Sequence, residues 1–133
     1  MGKTFIKIAT VYFSIGVLVG MTMGIIHDFR FTSLHAHVNL LGWVSTALFG
    51  VIYSIYPFAA NTRLAKTHFW LHNIGLPIMM IGLLGEILEV PAALPVMIVG
   101  SLAVVIGTIL FAINTFKTLS TNSTQKANKN INA

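Results

Sequence analysis

Two histidines one residue apart, His35 and His37 in the stretch His35-Ala36-His37-Val38-Asn39-Leu40-Leu41-Gly42-Trp43, are the residues best suited to chemistry in this chain. Neutral imidazole is the usual protein ligand for haem iron and for copper. Two positions on a helix of 3.6 residues per turn differ by roughly 200° of rotation, so the two rings leave on nearly opposite faces. One metal ion cannot easily be gripped by both, but each can give one ligand to a site on its own side. The plain alternative is that the rings hydrogen-bond at a membrane interface. Ionisable groups within apolar segments are costly, however, and tend to mark function.

The other histidines carry less. His68 and His72 are four apart, on one helical face, at a spacing that suits a shared metal. In a helix that starts from the opposite membrane side they lie on the order of 25 Å from the His35/His37 pair, so they are not expected to complete that site. Their expected roles are interfacial for His68, beside Trp70, and a hydrogen bond to a neighbouring helix for His72. His27-Asp28 reads as an interfacial pair.

The elements that must position these residues follow from composition. Of 133 residues, 56% are hydrophobic and only 8% charged, against about 25% charged in an ordinary soluble domain. An integral membrane protein is expected, and the absence of cysteine removes disulfides, thiolate sites and iron–sulfur clusters. Four apolar runs, roughly Phe5 to Ile26, Leu34 to Tyr56, His68 to Leu88 and Leu94 to Phe116, each approach the ~20 residues that cross a bilayer. Lipid cannot satisfy open strand edges, so the spans must be helices. The fold class expected is an all-α membrane protein with four transmembrane helices in an antiparallel array. Residues 1–119 form the transmembrane domain, and the Ser/Thr/Asn/Lys-rich residues 120–133 a disordered cytoplasmic tail.

Seven of the cations, Lys3, Lys7, Arg63, Lys66, Lys117, Lys126 and Lys129, fall on one side of a four-span arrangement, and Arg30 falls on the other with Asp28, Glu86 and Glu89. The positive-inside rule places both termini in the cytoplasm, with a prokaryotic inner membrane as the expected location. The net charge of +5 is thereby a matter of topology rather than of nucleic-acid binding. The basic start has no small-x-small cleavage site after it, so the first run is expected to stay as a helix. Gly16, Gly20 and Gly24 stack on one face of that helix and predict a packing surface. Tyr53 and Tyr56 read as an interfacial belt before Pro57. Pro77 should bend the third helix, and the fourth, with Gly100, Ser101, Gly107 and Thr108, has small packing residues and no ligand candidate.

The second and third runs together resemble the haem-copper oxidase catalytic subunit (subunit I) in its tenth and eleventh transmembrane helices. The residues that carry the resemblance are His35-Ala36-His37, then Tyr53-Ser54-Ile55-Tyr56-Pro57, then the basic loop with Arg63 and Lys66, then His68-Phe69-Trp70-Leu71 with Asn73-Ile74-Gly75 and Pro77 beyond. About fifty residues are covered. The resemblance implies that His35 and His37 are haem ligands, the first of the family's pair binding the high-spin haem and the second the low-spin haem. It also implies a four-helix unit like one of the family subunit's three arcs, and hence a homotrimer. This chain departs from the family in having no His-Pro-Glu-x-Tyr segment and no adjacent His-His pair, so copper is not supported. The family's twin arginines after the eleventh helix are replaced by Gly85-Glu86-Ile87-Leu88-Glu89, which leaves Arg30 as the outer-side cation for a haem propionate.

The function expected is a membrane b-type haem protein, with haem b held by bis-histidine ligation, serving electron transfer or diatomic-gas sensing. Its donor would be a quinol or a cytochrome. The alternative is a cofactor-free assembly or transport module that keeps oxidase-like helices for packing. An oxygen or nitric oxide reductase is the most distant reading, since the sequence offers no clear acid near the histidine pair.

Overall fold

A computed structural model describes residues 1–120 with their side chains and carries the backbone to Ile131. Of the disordered tail expected at 120–133, all but Ser120 falls outside the described side chains. Among the described residues every regular element is helical. Four helices, Gly2–Ile26, Phe29–Ile55, Arg63–Ile87 and Ala93–Ser120, are long and apolar enough to cross a membrane. Helix α1 is Gly2–Ile26 and ends at His27, which takes the left-handed conformation (φ 52°) that frees the chain to turn. The second span starts with a 3₁₀ turn, Phe29–Phe31, continues as α2 (Thr32–His37), widens into a π-helix over Val38–Ser45, and ends as α3 (Thr46–Ile55). A short helix α4 (Pro57–Ala60) leads to α5 (Arg63–Ile87) and α6 (Ala93–Ile131).

Capping side chains fix the turns. The Asp28 carboxylate accepts from the Arg30 backbone N–H at 3.1 Å and opens the 3₁₀ turn. Thr62 caps α5 by accepting from the Ala65 N–H at 3.0 Å, and its own hydroxyl donates to Asn114 Oδ1 at 2.6 Å. Asn114, fully buried on α6, donates in turn to the Ala59 carbonyl at 2.8 Å. One amide therefore ties the α4 loop, the start of α5 and α6 together. The sequence reading gave the fourth helix a structural role without singling this residue out.

The α5/α6 hairpin packs through glycines. A Cβ built on Gly82 would run into the Met97 backbone, and one on Gly100 into the Met79 backbone. Such contact of backbones is how helices gain dispersion energy where lipid removes the hydrophobic drive between them. The α1 glycine face is used for packing as expected, and its partner is the second span of the same chain. Gly16 and Gly20 lie against Asn39 and His35 of the same chain, so they are not free for a neighbouring copy, and only Gly24 has nothing within 4 Å. The two hairpins meet through Leu34 and Val38 packed on Leu76, Met79, Met80 and Val104, and through a second cluster of Phe5, Phe49, Tyr53, Ala59 and Ala65.

Replacing Gly100 by valine forces α5 and α6 apart. It should lower stability by about 1–3 kcal/mol, as overpacking does, read as a drop in the thermal midpoint of the detergent-purified protein; an unchanged midpoint would show that this crossing is not as close as described.

Candidate functional site

His35 and His37 sit at the point where α2 gives way to the π-helix, whose first residue is Val38. Helical irregularities of this type cluster at functional sites, because they re-aim side chains that a uniform helix would keep in register. The two rings do leave on different sides. His35 is directed at α1, where a Cβ on Gly20 would come within 2.8 Å of its Cε1. His37 lines a cavity of about 420 Å³ with Leu41, Met79, Ser101, Val104 and Thr108, on the α5/α6 side.

Hydrogen bonding prepares the two differently. The His37 Nδ1–H donates to the Ser33 carbonyl at 2.8 Å, which fixes the tautomer and leaves Nε2 with its lone pair. Around His35, the Asn39 side-chain amide donates to the His35 carbonyl at 2.8 Å and stands 3.4 Å from His35 Nδ1. The second distance is too long to fix a tautomer. Both residues are half-buried.

Arg30, the cation assigned to a haem propionate, is exposed and forked onto Asp28. Its Nη2 lies 2.7 Å from Oδ2 and its Nε 3.1 Å from Oδ1. These hydrogen bonds and the guanidinium charge hold the Asp28 carboxyl below the usual carboxylate range. His27 is exposed and serves as the α1 cap.

His68 and His72 form a separate assembly, and one expectation about them is overturned. His68 is 0% exposed and not interfacial, while its neighbour Trp70 is 61% exposed. Helix α5 begins at Arg63 rather than at His68, which puts His68 more than a turn inside the span. Its Nδ1 shares a hydrogen bond of 3.0 Å with the Tyr53 hydroxyl, so Tyr53 is also core, 2% exposed, rather than part of a belt. Tyr56, the other belt residue, is at the surface. His72 is bonded to a neighbouring helix as expected: the Thr46 hydroxyl donates to the Leu41 carbonyl at 2.8 Å and accepts from His72 Nε2–H at 2.8 Å. The remaining ring nitrogens, His68 Nε2 and His72 Nδ1, have no partner. Phe5, Phe49 and Phe111 surround the two rings.

No group of three or more His, Cys, Asp or Glu residues able to hold a metal ion occurs among the described residues. Two histidine pairs are therefore present, one half-buried with a prepared nitrogen beside a cavity, the other sealed in aromatic packing. The sequence pointed to the first pair through its spacing. The Thr46 and Tyr53 partners of the second could have been found only by knowing the π-helix, which shifts the face that α3 turns to α5.

Comparison with protein-family models, with curated proteins and with solved structures finds no match for this chain.

Tyr53→Phe and Thr46→Val each remove the hydroxyl that serves a buried histidine. Each should cost about 0.6 kcal/mol and no more than about 1.7 kcal/mol, the mean and the maximum found for hydrogen bonds between membrane helices, in a reversible unfolding assay. Equal stability of both variants would mean that the histidines find other partners.

Proposed function

We propose that this chain is a membrane b-type haem protein that binds haem b through His35 and His37 and serves electron transfer or diatomic-gas sensing. The observation that carries the reading is the preparation of His37. Its Nδ1 is held by the Ser33 carbonyl at 2.8 Å, and the ring lines a cavity of about 420 Å³. A ring oriented in this way by a backbone carbonyl is the usual state of a metal-binding histidine.

The residues present fit the group. The donors are imidazole nitrogens, which suit haem iron, and the cavity walls are mostly apolar, with Leu41, Met79 and Val104 able to flank a porphyrin face. Bound haem supplies a one-electron centre whose potential depends on its axial ligands and burial. His35 offers the second ligand from the Gly20 side, where the missing Cβ leaves the ring its place.

The opposed directions of the rings prevent one chain from giving both ligands to one iron, so the reading includes a homotrimer. Each iron takes His35 from one copy and His37 from the next. A heterologous interface that rotates by a third of a turn closes after three copies, and the ligand count closes with it. Arg30, oriented by Asp28, keeps N–H groups for a propionate. The charge distribution favours both termini on the cytoplasmic side of a prokaryotic inner membrane.

A pyridine haemochrome assay on protein purified from haem-replete cells tests the reading. The wild type should carry about one haem b per chain and give a trimer by native mass measurement, with His35→Ala and His37→Ala each losing haem. Mixed His35→Ala and His37→Ala subunits should recover haem at some interfaces. A colourless wild type would sink the proposal and favour the cofactor-free assembly or transport module.

Two further variants separate the roles of other residues. Arg30→Gln should lower the haem midpoint potential or loosen the haem, and an unchanged potential and occupancy would remove Arg30 from the site. The double replacement of His68 and His72 should leave the Soret band in place.

A further inference from the structure

A second site lies between α1 and α5. The two helices meet at Phe5 and Phe69, whose ring centroids are 5.0 Å apart. One turn beyond Phe5, from Ile8 onward, a groove of about 690 Å³ lies between them, with Leu34 and Val38 of the second span also in its wall. A further cavity of about 360 Å³ shares Ile15, Val19, Leu34 and Leu84 with the groove and carries on to Ile26 and Phe31. The passage is thus bounded by the Phe5–Phe69 contact at one end and faces lipid along its side, where Val11, Leu18 and Ile81 are exposed.

Size limits what can fill it. Along α1 the groove spans Ile8 to Val19 and the further cavity Ile15 to Ile26, so each is about 16 Å long at 1.5 Å per residue. Volume over length gives mean sections of roughly 40 Å² and roughly 20 Å², against roughly 80 Å² for a helix 10 Å across. A helix of a second copy or of a partner cannot seat in the narrow part, whereas a single hydrocarbon chain can. That part is also about as deep as one leaflet, half of a hydrocarbon core of about 30 Å. Its lining is apolar apart from Thr22, whose hydroxyl already donates to the Leu18 carbonyl at 2.9 Å. Left empty, such walls lose the dispersion contacts that a chain would give them.

The Ile26 end carries charge. Phe31, in the wall there, has the Arg30 guanidinium 5.9 Å from its ring centroid. Asp28 accepts from Arg30 Nε and Nη2, and a guanidinium has further N–H groups to give. Two carboxylates stand with this cation: Asp28, paired to it, and Glu89, close enough to act on its charge. A cation beside two acids complements a head that bears both a phosphate and an ammonium, whereas a purely anionic head leaves the acids unmatched.

We propose that the passage binds one phospholipid with a primary ammonium head, of the phosphatidylethanolamine type, from the leaflet at the Ile26 end. One acyl chain lies along Val19 and Leu34 with its tip in the wider groove. The phosphate takes N–H groups of Arg30 that Asp28 leaves, and the ammonium sits with Asp28 and Glu89. Head and chain then lie at the depths that their own leaflet gives them. The site is separate from the His37 cavity and does not rest on the haem reading.

The test is native mass spectrometry of the full chain in detergent, stripped of lipid and titrated with dipalmitoyl phosphatidylethanolamine. Binding should saturate at one lipid per chain and be about tenfold tighter than for dipalmitoyl phosphatidylglycerol, which lacks the ammonium. Val19→Trp brings an indole into the narrow part from a half-buried position and should abolish binding. Val99→Trp, at an exposed position of α6 outside the passage, should leave it unchanged. Arg30→Gln should weaken it by about tenfold, the worth of one charge-assisted hydrogen bond. Uptake without a limiting stoichiometry, equal affinity for the two lipids, or unchanged binding in a folded Val19→Trp or Arg30→Gln variant would overturn the proposal. If Val19→Trp fails to fold, the comparison of the two lipids on the wild type decides. His37→Ala should bind the lipid as the wild type does, so failure of the haem reading and failure of this one give different results.

Discussion

The structure depends on how a chain with so few polar groups pairs those that it buries between its helices. In hydrocarbon an unpaired polar group costs several kcal/mol, whereas pairing it across helices returns only about 0.6 kcal/mol on average. The asymmetry makes the buried hydrogen bonds conditions on the arrangement more than sources of stability. Thr46 with His72, Tyr53 with His68, and Thr62 and Ala59 with Asn114 fix which faces of α3, α5 and α6 meet. Attraction between those faces comes from elsewhere, chiefly from the backbone approach at Gly82 and Gly100 and from the apolar cluster around Leu76 and Met79.

The π-helix is where these two demands are reconciled. The second span must present His35 and Asn39 to α1, Leu34 and Val38 to α5, and Thr46 and Tyr53 to the histidines of α5. A uniform α-helix has one register for all three duties. Widening over Val38–Ser45 changes that register between the first two and the third. The Thr46 hydroxyl joins the same irregularity by donating to the Leu41 carbonyl five residues back, so an acceptor loosened by the wide turn is satisfied by the side chain that also orients His72. A segment held this way is rigid for a stated reason, which suits a position next to two candidate ligands.

What the sequence revealed was set by the range of the physics involved. The four apolar helices were legible because hydrophobic length is a local property, and the refined bounds differ from the expected ones by a few residues at most ends. Those few residues mattered at α5. Starting the third span at His68 made that residue look interfacial, whereas the Thr62 cap starts the helix at Arg63 and carries His68 inward. The opposed directions of His35 and His37 were also legible, since both belong to regular α-helix before the π-helical segment. The pairing of Tyr53 with His68 was not. A tyrosine near the end of an apolar run carries the same local signal whether it anchors an interface or serves a buried imidazole, and only the facing helix distinguishes the two.

The glycine face of α1 bears on assembly in the same way. Because Gly16 and Gly20 receive Asn39 and His35 from their own chain, these glycines leave no notch for a helix of a second copy, and the glycines of α5 and α6 are likewise spent on each other. Any neighbour has to meet the apolar surface that remains, with Val11, Leu18 and Ile25 on α1 and Val99, Leu102 and Ile113 on α6 all exposed. Those branched side chains keep helix backbones apart, and without close backbone approach or interhelical hydrogen bonds they give a helix pair little advantage over lipid. An assembly of this chain therefore needs a further source of cohesion. Shared axial ligation would supply one, because a ligand held jointly by two copies binds the assembled form and not the separate chains, and it stabilises that form in proportion to its own affinity.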